Sequence, residues 1–194
     1  SPGSGSGSRA DPPAHRAGGR SNRAARRWSS SRPRGDLWNL APSFVGNKIS
    51  KTFFYNTRLG LLSRDNVIFS QTQEFYNFFN VSALTSVDSD PIDVSVQSIK
   101  PANLFSCIPV TQGLALFSAG QQFMLYADNG ILTPGTTIIR SISYYEMDSN
   151  IEPVDVGTNI TFLSKSPITT QAYGMVTRGQ DDNPIVVELS KVVS

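Results

Sequence analysis

The chain has 194 residues with a net charge of +2, 39% of them apolar and 16% charged. That is enough for one domain with its own core, or for part of a larger protein. Cys107 and His15 are the single cysteine and the single histidine. Their scarcity excludes an intrachain disulfide, a thiolate metal cage and a histidine-rich metal site.

Residues 1–40 hold eight arginines, no lysine and two aspartates, a balance of +6. They are built mainly of Ser, Arg, Gly, Ala and Pro, without apolar periodicity or the apolar core of a secretory signal. Such a stretch buries too little surface to offset its ordering entropy and is expected to be disordered. It would be a basic arm for nucleic acid, with Trp28 or Trp38 stacking on bases, or a solvated tail. The tail is the favoured reading. Arginine without lysine, ahead of a remainder that uses both, suggests an unrelated or out-of-frame origin. Because His15 lies here, a Ser-His-Asp triad or Cys-His pair is excluded from the folded part. An enzyme would have to run on carboxylates, lysine or tyrosine.

From Ala41 onward there are nine Lys and Arg against thirteen Asp and Glu, a balance of −4. Short apolar runs separated by turn residues predict strands at Phe53–Tyr55, Leu59–Leu62 and Val67–Ser70. "TQEFYNFFNVSAL" has a helical spacing of Phe75, Phe78 and Phe79, but strand or irregular structure suits it equally. In "DPIDVSVQS", Ile92, Val94 and Val96 alternate with Asp93, Ser95 and Gln97, as in a half-buried strand. Further strands are predicted at Phe105–Val110, Leu114–Ser118, Gln122–Tyr126, Thr136–Tyr145, Ile160–Ser164 and Tyr173–Arg178. In "NPIVVELSKV" the alternation returns, with Ile185, Val187 and Leu189 opposite Val186, Glu188 and Ser190. "RDN", "SAGQ", "ADNG", "TPG", "DVGTN" and "DDNP" are the turns. Asn129-Gly130 is the strongest, since both residues tolerate the positive φ of a type I′ turn. The fold class is all-β, with short antiparallel strands.

Three runs end alike: "LGLLS" at Ser63, "LALFS" at Ser118 and "ITFLS" at Ser164, 55 and then 46 residues apart. A repeat of roughly 40–50 residues per multi-strand unit suits propeller blades, which bury their apolar faces by stacking. A β-sandwich is the alternative architecture.

Carboxylates concentrate in two places. "VDSDPID" brings Asp88, Asp90 and Asp93 together, but a calcium loop also needs a turn glycine and a late glutamate, both missing. An Asp-Pro turn is the simpler reading. "YYEMDSNIEPVD" holds Glu146, Asp148, Glu152 and Asp155, which could mimic a glycosidase pair, with Tyr144 and Tyr145 against sugar rings. Solvated surface is the simpler reading here too, and Tyr144 shares a predicted strand face with Ile138 and Ile142. Glycines in "FSAGQQF" and "ILTPGTT" do not form a phosphate-binding motif. Asn80-Val81-Ser82 and Asn159-Ile160-Thr161 match the glycosylation triplet, without a signal segment to make it meaningful. No catalytic, cofactor-binding or metal-ligating residue is assigned, and no cofactor is expected.

"PSFVGNKISKTFFYNTRLGLLSRDNVIFSQTQEFYNFF", "SDPIDV", "GLALFSAGQQFMLYADNGILTPGT" and "PVDVGTNITF" together resemble the tail tubular protein B, or nozzle, family of short-tailed phages. The matching stretches are Gly46 to Ser70, Asp90 to Asp93, Leu114 to Pro134 and residues 153–162, with Thr57 a mild departure. The resemblance covers most of 41–194 and none of 1–40. Members of that family are several times longer, so residues 41–194 are expected to be an interior piece of two or three blades from a truncated gene product. The resemblance implies a structural virion protein, assembled in the host cytoplasm into a homo-oligomeric ring. Such a ring would meet a tail adaptor ring and tail fibres, and pass genome DNA through its lumen without specific binding. A carbohydrate-binding or glycosidase-like β-domain and a nucleic-acid-binding module acting through the basic arm are the alternatives.

Overall fold

Polar turns interrupt the apolar runs so often that each strand finds its partner next in the chain. A computed structural model describes residues 41–80, 82, 85–157, 159–165, 168–176 and 184–190, and residues 1–40 lie outside these. Among the described residues the strands form three four-stranded antiparallel sheets. The first contains β1 (Ile49–Tyr55), β2 (Arg58–Ser63), β3 (Asn66–Phe69) and β4 (Ile92–Ser95). The second contains β5 (Leu104–Val110), β6 (Gly113–Ser118), β7 (Gln122–Ala127) and β8 (Thr137–Ser143). The third contains β9 (Val154–Asp155), β10 (Asn159–Lys165), β11 (Thr170–Val176) and β12 (Ile185–Glu188). Every sheet is a meander whose strand order is the chain order. The described residues are all-β, as their patterning predicts.

The three-fold sequence repeat has a structural counterpart. Ser63, Ser118 and Ser164 lie on β2, β6 and β10, the second strand of each meander, and all three are buried. The run before each serine is apolar because a second strand is flanked on both edges and covered on at least one face.

The second sheet is buried on both faces. Leu114 and Leu116 on β6, with Leu104, Phe123 and Leu125, join Leu62, Val67, Phe69 and Ile92 of the first sheet in one core. Ala115 and Phe117 alternate to the opposite side, where with Met124 they join Ile160, Phe162, Tyr173 and Met175 of the third sheet. This explains the unbroken run "LALF", since each fully buried Leu or Phe contributes about 1.5–3 kcal/mol on either face. A third, smaller core covers the other face of the first sheet. There Leu61 and Ile68 lie under Phe44 and Phe78, whose rings meet edge to face at 5.3 Å. The first strands of the first two sheets approach one another, β1 lying against β5.

Several boundaries differ from expectation. β1 starts at Ile49 rather than Phe53, because Ile49 and Ser50 are exposed and carry no apolar pattern. β9 is unexpected; two exposed residues beside a turn give no strand signal. Gly130 has a φ of 77° but Asn129 does not share a positive φ, so the pair forms no type I′ turn. Instead the Asn129 side chain accepts from Ile131 N at 3.2 Å, within a longer connection from β7 to β8. Residues 71–80 form turns with one bridge between Gln71 and Glu74, not a helix. Phe78 reaches the core while Tyr76 stays exposed. β8 ends at Ser143, leaving Tyr144 72% exposed rather than packed with Ile138 and Ile142. On β12 the expected polarity is inverted: Val186 packs inward while Ile185 and Val187 face out.

Candidate functional site

The β1–β2 hairpin turns on two residues, Asn56 (φ 46°) and Thr57 (φ 57°). This left-handed pair matches the twist of the flanking strands. It delivers Arg58, paired with Tyr55, at the first position of β2, where its side chain turns inward and is 1% exposed. One guanidinium nitrogen donates to the carbonyls of Ser70 (2.8 Å) and Asp90 (2.7 Å). The other donates to Asp88 (2.8 Å) and Leu132 (3.4 Å). A single side chain therefore ties β2 to the end of β3, the loop before β4 and the β7–β8 loop. Burial lowers the Arg58 pKa, and the nearby Asp90 carboxylate opposes that shift. A cleft of about 540 Å³ opens beside this point, lined by Thr57, Thr72, Asp88, Ile131 and Thr133 among others. The carbonyls occupy the terminal nitrogens of Arg58, so the group acts as a staple.

The three aspartates of "VDSDPID" do separate jobs. Asp90 closes a turn, its carboxylate accepting from Val87 N at 2.9 Å while its own N–H donates to the Val87 carbonyl. Asp93 accepts from Ser43 N and Ser43 Oγ, both at 2.7 Å, and from Asn66 Nδ2 at 3.2 Å. It pins the entry of the chain onto the first sheet. Asp88 contributes its carbonyl to Arg58. Among the described residues no group of three His, Cys, Asp or Glu is placed to hold a metal ion.

The second acidic stretch is also dispersed. Asp148 Oδ1 accepts from Asn150 N and Nδ2 at 3.0 and 2.9 Å, and Asp155 accepts from Gly157 N at 2.8 Å. Both are turn bonds made by a carboxylate two residues upstream. Glu152 pairs with Lys51 of β1 at 3.1 Å, and Lys51 also donates to Ser106 Oγ on β5 at 3.0 Å. Glu146 is exposed beside Tyr144. Tyr145 stacks at a tilt on Tyr173, centroids 4.6 Å apart. Cys107 is buried in the core, where burial pushes its thiol pKa up to about 12.

Among the described residues one face of the third sheet is covered only in part, by Leu189, whose side chain lies over Gly174. Cross-strand pairing puts Val154, Thr161, Gly174 and Val187 on the side of the third sheet that faces away from the second, along with Leu163, Ala172, Val176 and Ile185. Val154, Ile185 and Val187 are 60%, 62% and 47% exposed. Each of the other sheets has both faces occupied. Among the described residues no helix is long and apolar enough to cross a membrane.

Stacked meanders held by backbone-capping side chains, with one sheet face largely open among the described residues, define a modular β-structural protein. The sequence matches the model of the bacteriophage nozzle protein family over residues 17–194. It is also 36% identical over 126 residues to the tail tubular protein gp12 of Escherichia phage T7, an alignment covering 65% of this chain and 16% of that protein. The chain belongs to the bacteriophage nozzle protein family and is a structural component of the phage virion tail.

Arg58 was not singled out by sequence reasoning, although "RLG" lies in a quoted motif. Its signal is an arginine directly after a two-residue turn and directly before a fully apolar run, a position where only a satisfied charge is tolerated.

Proposed function

We infer that the chain contributes stacked, blade-like sheets to the wall of a ring-shaped tail nozzle, through which genome DNA leaves the particle. Membership of the nozzle family is the observation that carries this reading. Three further features support it. The meanders repeat along the chain, with β1 against β5, as blades arranged about an axis would place their first strands. The open face of the third sheet offers an apolar surface for another sheet of a longer polypeptide. The balance of −4 from Ala41 onward suits a wall along which DNA slides, because dense phosphate contacts would hold the genome instead. Homo-oligomerisation into a ring, docking under an adaptor ring and contact with tail fibres belong to the whole protein.

Gold-labelled antibody raised against residues 41–194 tests the reading on virions of the phage that encodes the chain. Label at the end of the tail distal to the capsid is expected. Label on the capsid, or none on intact tails, would overturn it.

A further inference from the structure

A second cleft, of about 400 Å³, lies at the end of the middle sheet that carries the β6–β7 turn. Its walls are the linker between the first two sheets (Gln97 to Ala102), the β6–β7 turn at Gly120 and Gln121, and the chain leaving β8 at Tyr144 and Glu146. From these residues the geometry points to a saccharide-binding site, taking a neutral or N-acetylated hexose unit of a polysaccharide.

Four features argue for that ligand class. Gln121 is 7% exposed and its amide is locked: Oε1 accepts from Ser98 Oγ at 2.6 Å and Nε2 donates to Ser141 Oγ at 2.7 Å. One lone pair and one N–H of that amide are left, a donor and an acceptor at fixed spacing. Adjacent ring hydroxyls, each able to donate and accept, match such a pair. Tyr144, 72% exposed, offers a flat apolar ring with a polar tip, suited to the C–H face of a sugar. Lys100 and Glu146 are both exposed, and neither forms an ion pair among the described residues, so each can serve hydroxyls. Finally, the walls are loops and a turn without a free strand edge, so an extended peptide has nothing to pair with.

Gly120 supplies the test. Its φ is not left-handed and a Cβ built on it meets nothing within 4 Å, so Gly120→Leu fills the cleft without straining the backbone. The full 194-residue chain is titrated with maltohexaose, chitohexaose and, for comparison, an alanine-rich hexapeptide, read by saturation-transfer NMR. Binding of at least one oligosaccharide is expected, with transfer strongest to one ring face. Gly120→Leu and Tyr144→Ala should each weaken binding tenfold or more, and Tyr144→Phe should restore most of it. Thermal unfolding of each variant within 2–3 °C of the parent, roughly 1 kcal/mol for a chain of this size, establishes that the fold is intact. No transfer from either oligosaccharide would overturn the assignment, as would saccharide binding indifferent to both variants or a preference for the peptide. The result is independent of where the protein sits in the tail.

Discussion

Arg58 donates to the backbone carbonyl of Asp90 at 2.7 Å, while the Asp90 carboxylate is committed to Val87 N, so the charged pair is joined through the main chain rather than head to head. The guanidinium satisfies four carbonyls from two connections, β3–β4 and β7–β8, and its removal leaves them buried without that donor. Arg58→Met is expected to destabilise the chain by roughly 3–5 kcal/mol, because unsatisfied acceptors and an uncompensated Asp90 charge both remain. Arg58→Lys keeps the charge but not the planar fork and should lose about 2 kcal/mol. Urea unfolding at neutral pH measures both. A loss below about 1 kcal/mol in Arg58→Met would show that water from the adjoining cleft replaces the guanidinium.

Thr57 is β-branched yet sits at a φ of 57°, a conformation that favours glycine. Its hydroxyl donates to the Asn56 carbonyl at 2.7 Å, which holds the rotamer without relieving the backbone. Thr57→Gly removes strain worth roughly 1–2 kcal/mol and adds about 0.5–1 kcal/mol of unfolded-state entropy. A net gain of about 0.5–1 kcal/mol should follow, seen as a thermal midpoint raised by about 1–4 °C. A lower midpoint would mean that the threonine contact outweighs the strain.

Cys107 stays protonated in the folded chain until the pH nears about 12, whereas the unfolded thiol ionises around its ordinary value of 9.0. A folded pKa raised above the unfolded one gives stability that is complete below pH 9 and is lost between about 9 and 12. Burial of Tyr55 and Tyr173 raises their pKa values as well, so they act in the same direction above their ordinary 10.0. Thermal midpoints should therefore fall from pH 8.5 to 11, with a shallower fall in Cys107→Ala. At pH 8 an aromatic disulfide reagent should leave the native thiol untouched and label it fully in denaturant. Rapid native labelling would contradict the buried placement.

Ile185 and Val187 leave apolar surface on the open side of the third sheet, and such patches drive association. The chain is expected to self-associate in light scattering at micromolar concentration. Ile185→Lys with Val187→Lys should reduce that association severalfold, and their exposure limits the change in stability to about 0.5 kcal/mol each. A parent chain that is monodisperse and monomeric at high concentration would remove the basis of this expectation.

Strand positions were legible because apolar alternation and turn residues are local signals. "LALF" and "LGLL" announce strands whether one face or both are buried. What escaped depended on neighbours distant in sequence. Tyr144 is apolar enough to extend a strand, yet β8 ends before it and the ring is left exposed. On β12, "IVVE" offers two apolar faces, and only the position of the second sheet decides that Val186 points inward. Asp93 looks like one of three clustered acids until Ser43, fifty positions upstream, is placed on it. Arg58 is hidden for the same reason, since its carbonyl partners extend as far as Leu132.

Each sheet pairs strands only with their immediate successors, which bears on how the chain acquires its structure. Among the described residues no strand waits for a partner from another sheet, so most pairings close short loops, the regime of fast folding. A nascent chain emerging from the ribosome can complete the first meander before the second is synthesised, and the second before the third. Each finished sheet then offers a ready apolar template for the next. The three described sheets can be laid down one after another in chain order.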